Sequence, residues 1–263
     1  MLGWSINLFR VFGIQLAVHA SFLLLLAYYG WEGWHSGGAL GMAWNTLLIV
    51  LFFVCVVLHE LGHSLTAQRY GVRVPRILLL PIGGMAEFDR IPRQPRQELL
   101  ITLAGPAVNF VIAALLTPLL WSSLVSDQED PAFSLVSLGG QLWIANLVMG
   151  IFNLLPVFPM DGGRIFRAVL ALKLPYLRAT WWASNVGTVL AVAGALTMAF
   201  YLHNYLGAVL FGFIFVAGDA EYKQLLRREQ EAQYWADMAR RIAPPEGAPL
   251  TPPQPPIILH GPN

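Results

Sequence analysis

Apolar residues dominate this chain in long runs, and short polar or Pro/Gly-rich stretches separate them. A helix needs about 20 mainly apolar residues to cross a hydrocarbon layer ~30 Å thick. The pattern predicts six such spans, at about 16–33, 43–69, 98–122, 136–156, 180–202 and 205–219. Residues 1–18 alternate apolar and polar positions, as expected of a short strand or an interfacial segment. A Gly-rich loop at 36–41 joins the first two spans, and a turn at His203-Asn204 joins the last two. Between spans two and three lies an insert, 70–97, with four prolines. Its residues 76–81 and 85–88 read as two short strands around Gly83-Gly84. An acidic loop, 126–134, and a short basic segment, 164–178, complete the connections. The predicted fold class is an all-α polytopic membrane protein of six transmembrane helices, with a short β-like insert between spans two and three. Three parts are expected: a six-span core at 1–220, a charged cytoplasmic helical segment at 221–243, and a Pro-rich disordered tail at 244–263.

Composition agrees with the pattern. Of 263 residues, 56% are hydrophobic and 12% charged, against about 25% charged in an average soluble domain. The net charge of +1 argues against nucleic acid as a partner. The single cysteine, Cys55, cannot form an internal disulfide. It sits one helical turn before His59, where it could be an extra ligand, but a small core residue is the favoured reading. Residues 1–15 carry one charge and no clear cleavage site, so no cleavable signal peptide is expected.

Charge also orients the spans. Of the 16 Lys and Arg, Arg10 precedes span one, six lie between spans two and three, four between spans four and five, and five after span six. All fall on one side of a six-span arrangement, and the loops 34–42, 123–135 and 203–204 have none. Both termini are therefore expected in the cytoplasm. The compact form and Arg-biased loops point to a bacterial inner membrane.

The chemistry concentrates in His59-Glu60-Leu61-Gly62-His63, inside span two. Positions i and i+4 share a helix face, so His59 and His63 can offer two imidazoles to one metal ion. Glu60, beside them, can take a proton from an attacking water. This is the H-E-x-x-H arrangement of zinc metalloproteases. Charged groups cost roughly 2.5–3.5 kcal/mol at mid-bilayer and are rarely idle there. His59 lies sixteen residues past Ala43, or roughly 24 Å at ~1.5 Å per residue, which puts the motif in the cytoplasmic third of the membrane. His19, before span one, reads as an interfacial polar residue.

Two histidines leave a catalytic zinc one protein ligand short. Asp161 is the best candidate for the third. It follows Pro156 and Pro159 and precedes Gly162-Gly163, which is broken backbone at membrane depth, tolerated where it lines a cavity. It could instead simply cap the next helix. Asp219 is the one rival, and Glu87 and Asp89 are weaker ones.

HELGH on the second span and NLLPVFPMDGG (153–163) at the end of the fourth resemble the site-2 protease family of intramembrane zinc metalloproteases. Ala104-Gly105-Pro106-Ala107-Val108-Asn109 on the third span also resembles that family. The resemblance covers about residues 10–220. It implies one Zn²⁺ held by His59, His63 and Asp161, with Glu60 as general base. It implies a role for Asn153, whose amide could orient the scissile backbone or stabilise the oxyanion; the bland alternative is a bond to a neighbouring carbonyl. Asn109 is expected to make an interhelical hydrogen bond. No PDZ-like domain fits between the spans and no pair of cystathionine-synthase-type domains fits in the tail, so a minimal core is expected. The implied substrate is a single-span membrane protein in the lipid bilayer, such as an anti-sigma factor or another membrane-tethered regulator. A silent membrane scaffold or chaperone competes, but Glu60 and all three presumed ligands are present. A metal transporter competes less well, because no internal repeat is visible.

Overall fold

The structure is a computed structural model and describes residues 4–89, 92, 94–126 and 134–242. In chain order the elements are β1 (Ser5–Val11), β2 (Ile14–His19), α1 (Ser21–Arg69), β3 (Arg76–Leu80), β4 (Gly83–Glu87), α2 (Pro95–Ser126), α3 (Leu135–Asn153), α4 (Asp161–Ala171), α5 (Tyr176–Leu196), a π-helical turn (Thr197–Tyr201) and α6 (Tyr205–Ile242). The chain divides into two units, Met1–Tyr222 and Lys223–Asn263, and the candidate site lies in the first.

Among the described residues five helices are long and apolar enough to cross a membrane. The first of them, α1, is two arms. Gly37 and Gly38 leave helical geometry, with Gly38 at a positive φ that suits glycine. The chain reverses there: Asn45 Nδ2 donates to Tyr29 O at 3.4 Å, and the Phe22 and Phe53 rings meet edge to face at 4.6 Å. In a straight helix residues sixteen apart would be about 24 Å apart. The two arms of α1 are the first two expected apolar segments, so the Gly-rich loop is shorter than predicted.

Leu115, Val148, Ile151, Val189 and Val209 are each more than half exposed. The long helices are thus apolar outside as well as inside, as lipid requires of segments with no aqueous side. The short helix α4 differs: Asp161, Gly162, Gly163, Arg167 and Ala168 are buried.

A four-stranded sheet, in the order β1-β2-β3-β4, packs with these helices. β2 pairs antiparallel with β1 and parallel with β3, and β3 pairs antiparallel with β4. The first span was expected from residue 16; instead residues 14–19 form β2 and the helix begins at Ser21. The physical reason is that β2 is flanked by strands on both edges and almost wholly buried. The strand reading of residues 1–18 thus holds here, and the overlap with the span arises because Leu16-Ala17-Val18, buried in this strand, is an unbroken apolar run that reads like the start of a helix. The insert's strands form where expected, but the turn between them is Pro81-Ile82, with Leu80 opposite Gly83. Gly83 and Gly84 belong to β4. Ile14, Leu16 and Ile77 of the sheet join Leu61, Ala67 and Ile101 of α1 and α2 in one apolar cluster, which ties the sheet to the helices that carry the motif.

The remaining boundaries move by a few residues. The fourth apolar segment ends at Asn153 rather than 156, and the basic segment at 164–178 holds most of α4 and the start of α5. The sixth segment and the expected charged helix are both part of α6, which runs to Ile242. Most of the acidic loop and the Pro-rich tail lie outside the described residues.

Candidate metal centre

His59 and His63 lie one turn apart on α1, and Asp161 is the first residue of α4. All three are buried, at 5%, 7% and 9% exposure. Asp161 Oδ2 is 3.3 Å from His59 Nε2 and 3.2 Å from His63 Nε2, and the two Nε2 atoms are 3.1 Å apart. A tetrahedral zinc site with ligand distances near 2.0–2.1 Å has donor atoms about 3.3 Å apart, so this triangle has the size zinc requires.

The outer side of each ring fixes its tautomer. His59 Nδ1 is 2.6 Å from Asn109 Oδ1, and His63 Nδ1 is 2.8 Å from the Ile101 carbonyl. Both partners only accept, so each Nδ1 carries the hydrogen and donates. Each Nε2 then presents a lone pair to the interior, toward the carboxylate oxygen and the other ring. Three electron-pair donors converge with no N–H between them. A proton on one ring could bridge two of them; a metal ion bridges all three. Bonds of this kind to a metal-ligating histidine set its orientation and raise its basicity.

The helices reach this geometry by close approach. A Cβ on Gly105 would lie 2.1 Å from His63 Nε2, so only glycine lets α2 pass behind that ring. Asn109, one turn further along α2, bonds outward as well: its Nδ2 donates to Asn146 Oδ1 at 2.9 Å, and Asn146 Nδ2 donates to Leu142 O at 2.8 Å. The expected interhelical bond of Asn109 therefore exists, and its other end is His59. Cys55 is buried and stands outside the cluster. At Asp161 the broken backbone packs tightly, and a Cβ on Gly162 would come within 2.1 Å of Leu155 O.

Glu60, partly buried, faces the sheet. A Cβ on Gly84 would lie 2.6 Å from Glu60 Cγ, so β4 runs directly beside this carboxylate. Asn153, the last residue of α3, donates from Nδ2 to Met149 O in its own helix at 3.1 Å, which is the bland alternative for that side chain. Among the described residues Asp219, Glu87 and Asp89 do not join the metal-binding group.

A sequence model of peptidase family M50 matches residues 47–136 and 124–194, more than half of the chain. The chain belongs to peptidase family M50, the site-2 proteases. The solved site-2 protease from Methanocaldococcus jannaschii is 38% identical, with a TM-score of 0.57 over 83% of this chain and 95% of that one. A zinc metalloprotease of the same organism is 44% identical over 192 residues, 73% of this chain and 53% of the relative. Stage IV sporulation protein FB of Bacillus subtilis is 27% identical over 189 residues, 71% of this chain and 62% of that protein. The M50 chain thus spans a little over half the length of these curated relatives. Both H-E-x-x-H and Asp161 fall inside the matched residues. As an M50 protein it is a membrane protein, and its buried His59, His63 and Asp161 form a group that could hold a metal ion.

Proposed function

We propose that the protein is a zinc-dependent intramembrane endopeptidase that cuts the transmembrane segment of a single-span, membrane-tethered protein. One observation carries the reading: His59 Nε2, His63 Nε2 and Asp161 Oδ2 converge within 3.1–3.3 Å, buried, on elements of an apolar bundle. These three atoms would hold one Zn²⁺. When bound, zinc supplies a Lewis acid that polarises the scissile carbonyl and acidifies a water. Glu60 accepts a proton from the attacking water and returns it to the leaving amine. Asn109 and the Ile101 carbonyl hold the two rings in the tautomer that leaves Nε2 free. Asn153 is assigned the orientation of the scissile backbone or the stabilisation of its oxyanion, which requires its amide to leave the Met149 carbonyl when substrate arrives.

A transmembrane helix hides its peptide bonds in its own hydrogen bonds, so the substrate must unwind before it is cut. β4 is the terminal strand of the sheet and abuts Glu60, which supports it as the edge that holds the unwound segment extended. Proline at Met85 or Ala86 should lower cleavage while zinc content stays at the wild-type level; undiminished cleavage would refute this role. The two arms of α1 and the four other long helices support a six-span arrangement; the one-sided placement of Lys and Arg is the basis for assigning both termini to the cytoplasm, and the membrane is assigned as the inner membrane of a bacterium.

The test pairs wild type with Glu60→Gln. Both are purified in detergent, zinc is counted per chain, and cleavage of a model transmembrane substrate is measured. The expected result is one zinc in each, with cleavage lower by a factor of about 10²–10⁴ in Glu60→Gln. Wild-type protein that retains no zinc would undo the reading, and a zinc-loaded wild type that cuts no transmembrane substrate would favour the scaffold alternative.

A further inference from the structure

We propose that the buried Glu98–Arg167 pair is the positioning device of the metal centre, setting Asp161 and His63 against each other from outside the cluster. The inference rests on the metal reading above. Both side chains are 2% exposed. Arg167 Nε donates to Glu98 Oε1 at 2.9 Å, and Nη2 donates to the same oxygen. The guanidinium lies between two rings, 5.1 Å from the centroids of Phe158 and Tyr176. The Tyr176 hydroxyl also donates to Glu98 Oε1, at 3.4 Å. One arginine therefore joins α2, α4, the first residue of α5 and the segment that leads into Asp161.

The placement of the two charges gives the pair its role. Glu98 lies one helical turn before Ile101, whose carbonyl accepts from His63 Nδ1. Arg167 lies six residues after Asp161 on α4, and Asp161 Oδ2 faces His63 Nε2. The pair thus locks together the two elements that grip His63 from opposite sides. Phe158, fully buried under the guanidinium, holds the broken segment just before Asp161.

Stability alone does not explain the pair. Buried ion pairs are often matched or bettered by apolar residues of similar volume, because desolvation offsets their attraction. Here the compensation is incomplete: Glu98 Oε2 is buried with no hydrogen-bond partner among the described residues. What the pair supplies and an apolar contact does not is a directional bond, two N–H groups aimed at one oxygen. A shift of an ångström at Asp161 would open a triangle whose sides are 3.1–3.3 Å.

The test uses the full chain in detergent with three variants: Glu98→Gln, Arg167→Lys and the doubly apolar Glu98→Leu/Arg167→Met. Zinc retained is titrated against a graded chelator, Tm is taken on the zinc-free proteins, and the absorption spectrum is recorded after cobalt substitution. The expected result is zinc affinity about 10–100-fold weaker in all three, the usual effect of losing an outer support of a metal ligand. The zinc-free Tm of the double variant should stay near that of the wild type, and its cobalt spectrum should change. Wild-type zinc affinity in any variant that folds would overturn the proposal. Failure of all three to fold would overturn it too, making the pair a requirement of the fold rather than of the centre. Wild-type protein without zinc would instead sink the metal reading, and this inference with it.

Discussion

Two buried polar clusters flank His63, and they are built in opposite ways. At the pair of Glu98 and Arg167, opposite charges face each other and two N–H groups meet a carboxylate. At His59, His63 and Asp161, three lone-pair donors face each other, and every ring hydrogen points outward to Asn109 or Ile101. The first cluster pairs its opposite charges within the protein, although Glu98 Oε2 has no hydrogen-bond partner among the described residues. The second turns its donors toward one point, where it could hold a cation. The difference separates a support from a site: buried polar groups are ordinarily satisfied, so a buried group that satisfies its outer face and turns its electron pairs inward together is arranged for something that binds there.

Substitutions at three positions break or sharpen this contrast, from the largest effect to the smallest. Asp161→Asn keeps the shape and removes the charge, and an amide at this position can turn an N–H into the cluster. Zinc binding should fall more than about 100-fold and cleavage should vanish, as read by zinc content and substrate digestion. Gly105→Ala leaves every ligand in place but puts a methyl where the His63 ring sits. The ring or α2 must shift, and zinc affinity should fall at least ten-fold while far-UV helicity holds. Asn109→Ala removes only the outer partner of His59. The ring loses its fixed tautomer, and zinc affinity should fall about 10–100-fold, measured by chelator competition. Asn109→Asp, which still accepts from Nδ1, should recover most of that loss.

The helices that carry this contrast were legible in the sequence because their signals are local. H-E-x-x-H needs only the i, i+4 rule, and Asp161 declares itself by the prolines before it and the glycines after it. That the three residues meet could be inferred from those signals; their roles rest on the proposal. The stretch holding β2 reads as a short strand or interfacial segment, but its last residues, from 16 on, also read as the first span because Leu16-Ala17-Val18 is an unbroken apolar run. Gly84 was read as a turn, although it lies in a strand where a side chain would strike Glu60. The Glu98–Arg167 pair left no local trace: its members are 69 residues apart, and Arg167 was counted among the cytoplasmic charges that orient the spans, whereas it is buried. Asn109 was expected to bond another helix, but which helix, and that the partner is a histidine of the cluster, depends on tertiary packing alone.

The most direct measurement is to map the bond that is cut. Zinc-loaded wild type and Glu60→Gln are each reconstituted in liposomes with a single-span substrate, and the products are sequenced by mass spectrometry. The account predicts one or a few cuts within the apolar span, toward its cytoplasmic end, in wild type, and almost none with Glu60→Gln. Cuts confined to the residues outside the span, or the same cuts from both proteins, would contradict it.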